Sequence, residues 1–192
     1  MENTDKSLLE AHCRGDQEAF GELVRRYGGC VLGYLTKMAG SRERAEDLFQ
    51  ETFKRVHEKA HTLRGDGFRA WLFRIATHVA VDGVRRQSRG PKVVSLNRNY
   101  DCSNDGEAAV ADNRSEPAGQ AMRAEQRRQV RRAIETLPER QRATLVLAYY
   151  QQLSYPEAAE VLGCSVGAVK TQMYRALKTL ARKLPDISGG VE

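Results

Sequence analysis

The stretch LSYPEAAEVLGCSVGAVKTQMYRALKTLARKL, residues 153–184, narrows the possible folds most, because two helical signals abut across a single glycine. Ser154 is placed to cap a first helix, and Pro156 falls in its first turn, where a missing N–H costs least. Ala158, Ala159 and Leu162 put small and apolar side chains on one face, and Gly163 supplies a turn conformation that a Cβ would oppose. Ser165 can cap a second helix, along which Val166, Val169, Met173 and Leu177 form an inward stripe at helical spacing. Its outward face carries Lys170, Thr171, Tyr174, Arg175 and Lys178. A helix, a short turn with glycine and a second, polar-faced helix is the helix-turn-helix layout.

That layout points to duplex DNA. The residues from Ser165 to Thr171 would reach base edges, while Arg175, Lys178 and Arg182 would meet phosphate. An ordinary amphipathic hairpin with a solvated basic face is the competing reading, and the paired alanines, Gly163 and the Val166/Val169 stripe weigh against it. Charge agrees with DNA binding. The chain of 192 residues carries a net +6, of which +5 falls in residues 123–192, against +2 in 1–86 and −1 in 87–122. A basic terminal block favours a polyanionic partner.

The remainder reads as helix wherever it has a pattern. Leu8, Leu9 and Cys13 start an apolar period that Phe20, Leu23, Val24 and Tyr27 continue, followed by Val31, Leu32, Leu35 and Met38. After Gly40, Ser41 is an N-cap for a helix running to about Ala60, and Arg64 to Gly67 is a turn. A further helix over Phe68–Arg86 has Leu72, Ile75, Ala76 and Val79 on one face, with Arg74, His78, Val81 and Arg85 opposite. Residues 87–122 are rich in Ser, Asn, Gly, Asp and Pro and hold no lasting apolar period, so they read as a flexible linker. An arginine-rich helix over 123–136 opens the second block. The expected class is all-α, with two small helical domains (1–89 and 123–186) joined by a linker over 90–122.

Three separately placed motifs, AEDLFQETFKRVHEKAHTLRG (45–65), FRAWLFRIATHVAVDGVRRQSR (68–89) and the helix-turn-helix, resemble in that order the bacterial sigma factors of the extracytoplasmic-function group. The resemblance covers nearly the whole chain apart from 90–122, which match the family's variable linker. It implies an initiation factor that binds core RNA polymerase and promoter DNA, together with an anti-sigma factor as a regulatory partner. Asp47, Leu48, Gln50, Glu51 and Phe53 match the helix that binds the polymerase's clamp helices. Arg64, Gly65, Arg74, His78, Arg85 and Arg86 fall in the element that opens and reads the −10 DNA. Ser165, Val166, Gly167, Lys170, Thr171, Tyr174 and Arg175 fall in the −35 reader, and Arg140–Tyr150 matches the part that meets the polymerase flap. The chain departs from the common pattern at His78, Pro156, Ala158, Ala168 and Gln172, so the promoter sequence does not transfer from relatives. Trp71 and Phe73 are candidate stacking platforms for separated bases, although aromatics at helical spacing more often belong to a core.

One motif argues for another class. His57-Glu58-Lys59-Ala60-His61 is formally HExxH, in which two histidines four apart chelate zinc and the glutamate activates water. A catalytic zinc needs a third protein ligand in a shielded pocket, and only His78 and Asp82 follow within reach. No phosphate loop or GxSxG motif is present, so neither an enzyme nor a bound metal or cofactor is expected. A helix-turn-helix regulator with an N-terminal ligand- or protein-binding block is the other alternative. Cys13, Cys30, Cys102 and Cys164 are scattered without a CxxC pair and read as reduced thiols. No apolar run is long enough to span a membrane and no secretory signal is seen, so the expected compartment is the cytoplasm.

Overall fold

A computed structural model describes residues 4–89 and 117–184, with side chains described over 4–83 and 123–184. Every regular element among them is helical. The N-terminal block contains α1 (Asp5–Cys13), α2 (Gln17–Ala39), α3 (Arg42–Lys59), a short 3₁₀ turn (Ala60–Thr62) and α4 (Phe68–Arg89). The C-terminal block contains α5 (Pro117–Glu135), α6 (Glu139–Leu145) continued by a wider π turn (Val146–Tyr150), α7 (Tyr155–Leu162) and α8 (Val166–Lys183).

The boundaries have local causes. What reads in the sequence as one continuing period from Leu8 to Tyr27 is broken between α1 and α2. Gly15 adopts φ +101° there, and the Asp16 carboxylate accepts from the amides of Glu18 and Ala19 at 2.9 and 3.1 Å. Gly40 ends α2 in the left-handed region, and Ser41 then caps α3 through the Arg44 amide. At the far end, α5 begins at Pro117, inside the segment expected to be linker, because proline is well tolerated in a first helical turn. The rest of that segment, 90–116, lies outside the described residues.

α4 sits at the centre, packed against α2, α3 and α7. Leu72, Phe73, Ala76 and Ala80 are fully buried, and Phe73 meets Tyr34 of α2 edge-on with ring centroids 5.5 Å apart. Thr77 donates to the Phe73 carbonyl at 2.7 Å, which leaves the Tyr34 hydroxyl to donate to Thr77 Oγ1 at 2.8 Å. That bond satisfies a phenol whose burial pushes its pKa up, since the charged form has no water to stabilise it. Gly83 sets how closely α3 approaches, because a Cβ there would stand 2.9 Å from Leu48 Cδ2. Val146, Leu147, Val161, Val169 and Ala176 fill the centre of the C-terminal block. One contiguous apolar cluster runs through both blocks, with α7 lying on α4 and α6 with its π turn lying on α2.

Candidate nucleic-acid and polymerase interfaces

Three exposed surfaces gather the candidate residues, and each is positioned by a buried counterpart. The first is the amino-terminal half of α8. α7 is held by a reciprocal cap, in which the Glu157 amide donates to Ser154 Oγ at 3.4 Å while the Ser154 amide donates to the Glu157 carboxylate at 2.8 Å. The Ser154 hydroxyl and amide hold the Glu157 carboxyl below its ordinary pKa. Gly163 turns the chain at φ +61° and Ser165 caps α8 through the Ala168 amide. Val169, Met173 and Ala176 anchor α8 inward. Ser165, Val166, Gly167, Lys170, Thr171, Tyr174 and Arg175 consequently all face solvent, with Tyr174 66% exposed. The Thr171 hydroxyl is engaged locally, donating to the Gly167 carbonyl at 2.9 Å.

The second surface lies on α3. Asp47 and Gln50 are exposed and Glu51 half-buried, with both carboxylates toward one side as their four-residue spacing requires. Arg55, one turn on, donates to Glu51 Oε1 at 2.7 Å and lies 3.8 Å from Asp82 of α4, tying the two helices along their outer edge. Leu48 is half-buried and leans on α4 opposite Gly83.

The third surface runs from the loop before α4 along that helix. Arg64 and Gly65, the latter with φ +86°, are exposed, and Asp66 is paired with Lys6 of α1 at 3.3 Å. A cavity of about 350 Å³ opens beside this loop, lined by Lys6, Leu9, Arg14, His61 and Gly65 among others. On α4 the exposed residues are Arg74, His78 and Asp82, a ridge one residue wide at four-residue steps. Arg85 and Arg86 continue the same helix, and their side chains lie outside those described.

Comparison with known proteins places the chain in a family. The model of Sigma-70 region 2 matches residues 23–90, and that of Sigma-70 region 4 matches 127–180. The chain is 31% identical over 184 residues to the RNA polymerase sigma-H factor of Pseudomonas aeruginosa, covering 95% of each protein. It is 32% identical over 185 residues to the ECF RNA polymerase sigma-E factor of Escherichia coli, covering 96% of each. The chain belongs to the ECF RNA polymerase sigma factors. Among solved structures, CnrH in complex with the cytosolic domain of CnrY superposes with a TM-score of 0.67 at 30% identity, over 94% of this chain and 97% of that one. The sigma factor RpoE of Bartonella quintana, in complex with the anti-sigma factor NepR, has the same fold, with a TM-score of 0.67 at 20% identity over 87% of this chain and 97% of that one.

This sigma factor is thus a promoter-recognising subunit for RNA polymerase, and the region 2 match over 23–90 disfavours a ligand-binding N-terminal block. Several expectations need correction. Phe53 is 6% exposed and packs against Phe20 and Phe49, so it supports the α3 face from beneath and offers no contact surface. For Phe73, wholly buried, and Trp71, half-buried beside Phe68, the structure agrees with the core reading that helical spacing favours over a stacking platform. In α8 the inward stripe is Val169, Met173 and Ala176, while Val166 and Leu177 are 37% and 53% exposed. Repeated four-residue steps drift about 40° each around a helix of 3.6 residues per turn, and a three-residue step restores the face. The segment Arg140–Tyr150, expected to face the polymerase flap, packs chiefly against α8 of its own block and in part against α2, with Arg140 and Tyr149 exposed.

The HExxH match straddles the end of α3. Lys59 has ψ 6°, which carries His61 out of helical register, and the His57 ring lies 4.9 Å from that of His12. Among the described residues no group of three or more His, Cys, Asp or Glu could hold a metal ion, and no helix is long and apolar enough to cross a membrane. Cys13, Cys30 and Cys164 are free and exposed, and Cys102 lies outside the described residues. The Arg55 bridge is the feature that residue-by-residue reading missed. Half of it was visible as the Glu51–Arg55 spacing, but Asp82 joins only when α3 and α4 are side by side.

Proposed function

We propose that the three surfaces divide the labour of promoter recognition. Asp47, Leu48, Gln50 and Glu51 dock α3 on core RNA polymerase. Arg64, Gly65, Arg74, His78, Arg85 and Arg86 engage −10 DNA, and Ser165 to Arg175 read the −35 duplex. The observation that supports this best is the face of α8, where seven candidate residues stand exposed together on a helix anchored through three buried ones. Cationic Lys170 and Arg175 there suit phosphate and base edges, whereas the α3 face offers carboxylates to a basic partner. Residues 1–89 and 123–186 act as two units in this reading, joined by 90–122. The polymerase performs the bond-forming chemistry, the sigma factor is not an enzyme, and both work in the cytoplasm. An anti-sigma factor that covers these faces would regulate it, by analogy with the RpoE–NepR complex.

Transcription by purified core polymerase supplemented with variants of the chain tests the assignment. Glu51→Lys is expected to lower core association at least tenfold while leaving −35 duplex affinity unchanged, and Lys170→Ala to do the reverse. Equal loss of both activities by either variant would reject the division.

A further inference from the structure

Beside the apolar contact of α7 with α4, the packing of the two blocks on each other has a polar part centred on Arg142 of α6. Its guanidinium is a single cap shared by two helices. Nη1 donates to the Met38 carbonyl at 2.9 Å, at the carboxyl end of α2. Nη2 donates to the Glu135 and Leu137 carbonyls, at the carboxyl end of α5. Carboxyl ends of helices present unpaired carbonyls and the negative end of the helix dipole, so a cation there satisfies both. Two further contacts flank it. Arg69 of α4 donates to the Gln151 carbonyl, and Lys37 Nζ stands 4.5 Å over the Tyr150 ring. All three join the N-terminal block to the segment 142–151, and each employs a cation against a carbonyl or an aromatic face. Partial burial of the guanidinium at this contact lowers the Arg142 pKa.

The closed arrangement conflicts with promoter reading. Elements at −10 and −35 lie roughly 25 base pairs apart, about 85 Å at ~3.4 Å per pair. A compact body of this size is only about 40 Å across. The chain from Arg89 to Pro117 is long enough to allow separation, since 28 links reach at most roughly 95 Å. Closure also sets part of Arg140–Tyr150, the segment matched to flap binding, against α2.

We propose that the free chain is held shut by an interdomain clasp, in which Arg142 caps α2 and α5 together and Arg69 and Lys37 secure its edges. The clasp must release Met38 before the two blocks can reach their separate sites. On leaving, Arg142 keeps its α5 carbonyls, so only the α2 side of the shared cap is exchanged for water. Because binding competence then equals the open fraction, weakening the clasp raises apparent affinity for core polymerase by the same factor. The affinity consequence rests on the polymerase-binding reading above, whereas closure of the free chain does not.

The test is a distance measured in the full chain. With Cys13 and Cys102 changed to Ser, the exposed Cys30 of α2 and Cys164 of the α7–α8 turn accept spin labels. Free wild-type chain is expected to give a single distribution below about 40 Å, and chain bound to core polymerase and promoter DNA one beyond about 60 Å. Arg142→Met is expected to populate the long distance without polymerase and to bind core roughly tenfold more tightly. The peripheral double change Arg69→Ala with Lys37→Ala should act in the same direction with the thermal melting of each block preserved, which guards against a misfolded Arg142 variant. A long or broad distribution in the free wild-type chain overturns the clasp. So does a short distribution that neither variant alters. Failure of core binding with the free-chain distances as expected would overturn the polymerase reading and leave the clasp standing.

Discussion

α4 and α8 are the two helices proposed to meet DNA, and they are built on opposite plans. α8 lies at the edge of its block, buries Val169, Met173 and Ala176, and leaves about half its circumference to solvent. α4 runs through the middle of the molecule, covered by α2, α3 and α7, and over the residues whose side chains are described only Arg74, His78 and Asp82 are exposed, with Arg69, Trp71, Val81 and Gly83 half-buried. An edge helix can present several side chains per turn to a groove. A central helix presents one per turn, so its recognition must borrow from neighbours such as the Arg64–Gly65 loop. The same contrast separates failures of binding from failures of folding. A substitution on α8 can alter binding with the fold intact, whereas most substitutions on α4 strike the core first.

The largest effect should come from breaking α4 at its centre. Phe73→Ala is expected to cost about 3–5 kcal/mol of stability, because it removes a wholly buried ring and leaves a cavity against Tyr34. Chemical denaturation measures it, with exposed Arg74→Ala within about 0.5 kcal/mol of wild type as the contrast. A similar loss for both would erase the distinction drawn between the ridge and the core.

On α8 the effect should fall on binding alone. Arg175→Ala is expected to weaken −35 duplex affinity by about 1–2 kcal/mol and to flatten the salt dependence by roughly one unit of slope, with an unchanged denaturation midpoint. Titration at several salt concentrations decides it. An altered midpoint would mean that the α8 face is structural after all.

Smaller still is the contribution of the α7 cap. Ser154→Ala is expected to cost about 1 kcal/mol, since it leaves the Glu157 amide without its acceptor. The paired carboxylate adds a pH signature. Because the folded pKa of Glu157 is depressed, its contribution is present above the unfolded value of about 4.3 and is lost as pH falls through the lower folded value. Acid titrations of stability should therefore show a weaker decline below about pH 4.3 in Glu157→Gln than in wild type.

Tyr27 gives the opposite sign at the other end of the scale. Burial, assisted by its bond to Asp5, raises its pKa to about 12, so its contribution holds below about pH 10 and fades as pH climbs toward 12. Tyr27→Phe should lose less stability than wild type across that window. An identical alkaline profile would mean that the phenol is not held by its surroundings.

The local features were legible residue by residue. Ser41, Ser154, Gly163 and Ser165 cap or turn as their types and spacing require, and the exposed face of α8 follows from Lys170, Thr171, Tyr174 and Arg175 sharing one side of a helix. Less legible was which apolar residues stay out of the core. Leu177 continues a four-residue rhythm from Val169 and Met173, yet α8 turns past it and buries Ala176 instead, and Val166 in the first turn is left exposed as well. Phe53, Trp71 and Phe73 were ambiguous for a related reason: an aromatic suits a base, a partner or a core equally well until its neighbours are known.

Caps, turns, helical periods and the order of the three motifs were determined by the sequence itself, because each depends on residues within a few positions of one another. The tertiary structure alone decided the narrowness of the α4 ridge, the Glu51–Arg55–Asp82 bridge and the meeting of Arg142 with Met38, 104 residues away. Burial and long-range pairing depend on what the rest of the chain brings alongside, and helical periodicity specifies a face without naming its occupant.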